Sequence, residues 1–138
     1  MVLQFFPRAG QIFVCDFTSF EEPEMTKKRP VIVISPRLPY RSQIVTIVPI
    51  STTAPQHSLP FVVRLSKNYH PMEAADVPSW AKCDMVTNLA IHRLEQFKVG
   101  RRKYVYPTVT SEDLKAVRDG VVHGLGLSHL LNPQESTK

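Results

Sequence analysis

Residues 24–53, EMTKKRPVIVISPRLPYRSQIVTIVPISTT, decide how this chain folds. The runs VIVIS (31–35) and IVTIVPI (44–50) are too short for stable helices and rich in β-branched residues. Both therefore predict strands, the first buried on both faces. Pro49 near the end of the second predicts an edge position or a bulge, because proline cannot donate to a ladder. Polar groups crowd the ends of this apolar pair. Glu24, Lys27, Lys28 and Arg29 precede it, Arg37 and Arg41 stand in the Pro-rich turn, and Ser51, Thr52 and Thr53 follow. A rigid pair of strands that presents a carboxylate, cations and hydroxyls at its ends can grip a phosphate backbone.

Upstream, QIFVCDF (11–17) alternates in the manner of a strand, and TSFEEPEMTKK (18–28) is a polar loop longer than a minimal hairpin needs. Downstream, FVVRLS (61–66) reads as a strand with Arg64 on its wet face. Residues 67–79 carry no usable periodicity, and WAKCDMVTNLAI (80–91) resumes strand character as two short strands. In 92–110, RLEQF reads as one helical turn before a short strand. SEDLKAVRDGVVHGLGL (111–127) is the one clear helix. Thr110 or Ser111 can cap it, Glu112 and Asp113 suit its positive end, and Leu114, Val117, Val121 and Leu125 form its apolar stripe. Gly120 costs about 1 kcal/mol in a helix, so packing on a sheet must hold it. Gly124 and Gly126 end it, and the tail 128–138 is expected to fray. Short strands followed by one terminal helix predict a mainly β fold, a small and strongly bent antiparallel sheet or barrel with a helix over one opening. A single domain spans 1–138, with its core in 10–127.

The 138 residues include 17 Lys and Arg against 12 Asp and Glu, a formal charge of +5 that favours polyanionic partners. Between Lys27 and Arg41 stand five cations and no acid. No apolar run approaches the ~20 residues that cross a bilayer, and MVLQFFPRAG lacks the pattern of a signal peptide, so a cytoplasmic location is expected. Cys15 and Cys83 lie in apolar surroundings and read as reduced core residues. The five histidines are scattered, and no Cys/His spacing suggests a metal.

The blocks GQIFVCDF, PEMTKKRPVIVISP, IVPISTT, WAKCDMV and SEDLKAVRDGVVHGLGL, taken in this order and spacing, resemble the PemK/MazF-like toxins of bacterial type II toxin–antitoxin systems. The resemblance covers about Gly10 to Leu127. It implies an SH3-like barrel, usually a homodimer, that cuts single-stranded RNA such as mRNA without a metal or other cofactor. It also implies a cognate antitoxin whose acidic and apolar C-terminal segment lies across the RNA groove, with DNA met only through that antitoxin.

Metal-free cleavage of RNA by its own 2′-hydroxyl needs a base, an acid, and donors for the extra charge on phosphorus. Arg29, permanently charged and able to grip two phosphate oxygens, is the candidate for charge stabilisation, its plainer role being an ion pair with Glu24. The resemblance makes Glu24 a proton-transfer candidate, although alone it reads as a solvated acid beside Glu21 and Glu22. Some family members carry a histidine just before this acid, where Pro23 stands here, which leaves the acid and base unassigned. Ser51 and Thr52 are candidates to hold the scissile phosphate, against a plain turn with local bonds. Lys82 and Asp84 are expected on one face of a strand, where a cross-strand ion pair is the plainer reading, and the resemblance implies that they act on RNA. Lys27, Lys28, Arg37 and Arg41 are expected to track phosphates. Tyr40 or Trp80 could stack a base, although Trp80 reads better as core. Two other readings compete: a gyrase poison of the same fold, which would end in a Trp-Gly-Ile tail absent here, and a basic module that binds RNA or an acidic peptide without catalysis.

Overall fold

The computed structural model describes residues 3–25 and 27–131. Of the expected frayed tail only 128–131 falls within it, where Ser128–Leu130 makes a 3-10 turn, and the remainder lies outside the described residues. Strand β1 (Ile12–Asp16) pairs antiparallel with β2 (Lys28–Val33), and β2 pairs antiparallel with β3 (Ile44–Ser51). The second strand starts three residues earlier than its apolar run, because Lys28, Arg29 and Pro30 join the ladder opposite β1.

The long strand β3 carries two partners on its other side. Its first half pairs with β6 (Thr87–Ala90) and its last two residues with β5 (Trp80–Lys82), which in turn pairs with β4 (Val62–Arg64). Pro49 falls between these two partners, at the break in the ladder, so it occupies a central strand and not an edge. Short β7 (Leu94–Glu95) extends the sheet beyond β1, and β8 (Phe97–Gly100) with β9 (Lys103–Val105) form a separate hairpin. The result is a mainly antiparallel β fold with one C-terminal helix, α1 (Ser111–Gly124).

Both faces of β2 and β3 are buried, as their unbroken apolar runs require. Ile32, Val48 and Ile50 enter one core, with Ile12, Leu65, Tyr69, Cys83 and Val117. Val31, Val33, Val45 and Ile47 enter the other, with Phe13, Cys15, Phe17 and Leu94. Each such aliphatic side chain contributes up to about 1.5–3 kcal/mol by leaving water.

The helix closes over the first core. The Thr110 hydroxyl accepts from the Asp113 N–H at 3.1 Å, and Gly126, at a φ of 74°, follows the last turn. Val117 is fully buried, and Leu114 and Val121 pack against the core, but Leu125 lies beyond the helix and is 60% exposed. The helix ends at Gly124, where a Cβ would stand 3.3 Å from the Asp84 Cα. Gly120 is a point of close approach: a Cβ would stand 2.7 Å from both Cys83 Sγ and Val63 Cγ2.

Asp113 does more than neutralise the helix end. Its carboxylate, 7% exposed, accepts from Ser66 Oγ at 2.6 Å, Tyr69 Oη at 2.7 Å and the Ser66 N–H at 3.1 Å. Tyr69 Oη in turn accepts from the Thr110 N–H. Burial pushes the Asp113 carboxyl upward, but the bonds from Ser66 and Tyr69 outweigh it and hold the group below its ordinary 3.8. This network ties the 66–70 segment to the start of the helix.

Two outcomes follow from this packing. Gly120→Ala, favoured by about 1 kcal/mol on helix propensity alone, is expected to lower urea-unfolding stability by about 1–3 kcal/mol through overpacking. Asp113→Asn is expected to cost roughly 1–3 kcal/mol at neutral pH. A depressed folded-state pKa stabilises above the unfolded value and ceases to as pH falls through the folded one. The gap between wild type and Asp113→Asn in pH-dependent melting should therefore close below about pH 4; a gap that is constant with pH would show that the charge of Asp113 does not contribute.

Candidate active site

Arg29 stands at the start of β2, opposite buried Cys15 of β1. Its Nε is buried and has no hydrogen-bond partner, the one such side-chain nitrogen or oxygen among the described residues. The expected ion pair with Glu24 is absent. Glu24 Oε1 instead accepts from the Glu21 N–H at 3.1 Å, a bond within its own loop.

Two recesses meet at Arg29. One, of about 320 Å³, lies between the 22–27 loop and the end of β5, and is lined by Glu22, Glu24, Lys27, Arg29 and Lys82. The other, of about 220 Å³, is lined by Lys28, Arg29, Ser51, Thr52, Thr53, Asn68, Tyr69, His70 and Glu73. Arg29 and Ile50 belong to both walls. Three cations face two carboxylates in the first recess, and hydroxyls face a cation pair in the second. An anion can be held at their junction by an unpartnered guanidinium, with hydroxyl donors on one side and an ammonium on the other.

Strand pairing explains much of this convergence. The β2–β3 register sets Val31 against Pro49, so two residues further on Arg29 comes level with Ser51. Ser51 also pairs with Trp80 across β5, which brings Lys82 to the same end of the sheet. Ser51 Oγ accepts from the Thr53 N–H at 3.0 Å, the local turn bond, and its hydroxyl proton stays free to donate. Lys28 adds a surface contact to Glu95 at 3.9 Å, too exposed to immobilise it.

Other expected residues are placed elsewhere. Strand β5 stops at Lys82, and Cys83–Met85 turn as a 3-10 helix, so Asp84 does not share a strand face with Lys82. The turn carries Asp84 toward Gly124 at the end of α1, and it lines neither recess. Arg37 and Arg41 stand in the turn at the opposite end of β2 and β3, a strand length of about 20 Å away. Arg37 lies over the Phe6 ring, while Arg41 donates to Thr46 Oγ1 and Asn88 Oδ1. Tyr40 is fully exposed in that turn, and Trp80 is half-buried. Cys15 and Cys83 are buried, which pushes both thiols up to about 12 and leaves neither able to act as a nucleophile.

Asn68, His70 and Glu73 come from the stretch whose sequence carried no period. His70 N–H donates to Asn68 Oδ1, Asn68 Nδ2 donates to Glu73 Oε1 at 2.8 Å, and the Met72 N–H donates to His70 Nδ1 at 3.1 Å. The local signal was Asn followed two residues on by His beside Pro71, an Asx turn.

Residues 8–123 match the sequence pattern of the family described as PemK-like, MazF-like toxin of type II toxin–antitoxin system. No curated protein matches the chain. Among solved structures, MazF of Deinococcus radiodurans is similar at 23% identity and a TM-score of 0.64, over 89% of this chain and 99% of that one. The MazE–MazF complex of the same organism is similar at 22% identity and a TM-score of 0.61, over 91% of this chain and 100% of that one. A mycobacterial endoribonuclease in complex with its cognate antitoxin is similar at 19% identity and a TM-score of 0.60, over 88% and 97%. These likenesses show the fold. With the pattern matched over most of its length, the chain belongs to the PemK-like, MazF-like toxins of type II toxin–antitoxin systems.

Proposed function

We propose that this toxin is an endoribonuclease that cuts single-stranded RNA, messenger RNA in particular, and so arrests translation and growth. The observation that carries the reading is Arg29, whose buried Nε has no protein partner where two recesses meet. Leaving that donor unsatisfied costs about 1–3 kcal/mol, and because the same side chain lines both recesses, its guanidinium can meet a phosphate oxygen there with a charge-assisted bond.

The scissile phosphate sits against Arg29, with Ser51 and Thr52 donating to its oxygens. As the 2′-oxygen attacks, negative charge grows on phosphorus and the guanidinium stabilises it. Lys27, Lys28 and Lys82 draw in the flanking phosphates, and Lys82 with Glu24 serves proton delivery to the leaving 5′-oxygen. The side chains carry the reaction without a metal, and the product ends in a 2′,3′-cyclic phosphate. Among the described residues no group of three His, Cys, Asp or Glu could hold a metal ion. The protein works in the cytoplasm as a homodimer, and its antitoxin covers the recesses with an acidic and apolar C-terminal segment. The antitoxin complexes among similar structures support that partner. Among the described residues no helix is long and apolar enough to cross a membrane.

A long transcript incubated with purified protein in EDTA should give discrete fragments with cyclic phosphate ends. Arg29→Ala should cut at least ~10²-fold more slowly with its melting temperature kept, and wild-type RNA binding should weaken steeply with salt. Intact RNA across varied transcripts, or full activity in Arg29→Ala, would contradict the reading.

A further inference from the structure

The proposed cleavage leaves one part unassigned, the group that removes the 2′-hydroxyl proton. In-line displacement puts the attacking 2′-oxygen and the leaving 5′-oxygen on opposite sides of phosphorus. Base and acid must then approach from opposite sides as well. The two recesses that share Arg29 and Ile50 supply two such sides. Lys82 lines one of them, and its ammonium is a group with a proton to give. Taking Lys82 as the proton donor makes its recess the leaving-group side and puts the base in the other, which is lined by Lys28 and by one carboxylate, Glu73.

We propose that Glu73 is the general base of this toxin, poised by Asn68 and His70 across Arg29 from Lys82; the assignment rests on the nuclease reading above. Glu73 Oε1 is held by Asn68 Nδ2 at 2.8 Å, and Asn68 is itself 7% exposed. Glu73 Oε2 has no such bond, lies 3.7 Å from His70 Nε2, and faces solvent enough to meet substrate. His70 looks like the natural base but is tied differently. The Met72 N–H occupies its Nδ1 lone pair, so the neutral ring carries its proton on Nε2 and has no free lone pair. His70 is therefore a positioning residue, its ring fixed edge-on to Phe97 at 4.8 Å and its N–H directed to the Glu73 side.

The step balances. Glu73 takes the proton from the 2′-hydroxyl as the 2′-oxygen forms its bond to phosphorus. The bond from phosphorus to the 5′-oxygen breaks, and Lys82 gives that oxygen a proton. Water then returns a proton to Lys82 and accepts one from Glu73.

The test uses a short RNA spanning the strongest cut in a long transcript, under single turnover across a range of pH. Glu73→Gln keeps the acceptor for Asn68 and loses the base, so cleavage should fall by about 10²–10³-fold with RNA binding and melting temperature unchanged. The low-pH limb of the wild-type rate profile should vanish in this variant, and Glu73→Asp should restore part of both. A second substrate replaces the bridging 5′-oxygen with sulfur, a leaving group that needs no proton. It should rescue Lys82→Ala and leave Glu73→Gln slow. Wild-type rates in Glu73→Gln, or its rescue by sulfur, would overturn the assignment while leaving the nuclease intact. A wild type that cuts no RNA would overturn the nuclease reading, and this proposal with it.

Discussion

The register between β2 and β3 is the constraint on which the rest depends. Val31, Ile32 and Val33 stand opposite Pro49, Val48 and Ile47, and successive side chains enter different cores. A slip of one residue would exchange the two sets and move Arg29 out of level with Ser51. Because both faces are apolar, burial alone discriminates poorly between these registers. The ends of the strands supply the discrimination. The Thr46 N–H donates to the hydroxyl of buried Ser35, the Ile34 N–H donates to the Thr46 carbonyl, and Gly10 and Gln11 exchange backbone bonds with Val33. Pro49, lacking a donor, fits only at the break between β5 and β6. Polar bonds at the ends therefore fix where an apolar pair places its cation.

The same division explains what could be read in the chain. Burial patterns are local, so VIVIS, IVTIVPI and the capped helix were legible as elements, and Cys15 and Cys83 as core residues. Arg29 and Lys27 were legible as candidates because they stand just before a recognisable run, whereas Glu24, Ser51 and Lys82 became candidates through the family resemblance. Alternation misled at Lys82 and Asp84, since it assumes the strand continues where the chain turns. Charge misled at Arg37 and Arg41, since a cation close in sequence is a strand length away once the hairpin forms. Asn68, His70 and Glu73 showed a local turn signal and no sign of where the turn would sit. Their loop is positioned by Asp113, more than forty residues downstream, and no pattern within 67–79 encodes that.

Arg29 shows how such a site stays open. Carboxylates stand near enough to share its recess, yet none pairs with it. Glu24 is committed to the Glu21 amide, and the loop that carries it is closed at its base by the Phe17 N–H donating to the Lys27 carbonyl. Arg93 staples the same loop, its guanidinium over the Phe20 ring and donating to Ser19. Holding Glu24 in this way keeps the guanidinium available at the expense of an unsatisfied donor, about 1–3 kcal/mol that buried strands must offset. A cation quenched by a neighbouring carboxylate would be more stable and less able to bind an anion.

The two sides of the site are thus held by different parts of the fold. Arg93 and the base of the 17–27 loop fix the side that carries Glu24, while Asp113 and the helix start fix the side that carries Glu73. The two recesses share the wall of Arg29 and Ile50. Disturbing one anchor should displace the wall of one recess and leave the other in place. This separation lets the two recesses of the proposed site be held independently by a chain of this size. It also ties the C-terminal helix to the second recess, since Asp113 joins the helix start to Ser66 and Tyr69 at the beginning of the segment that lines it.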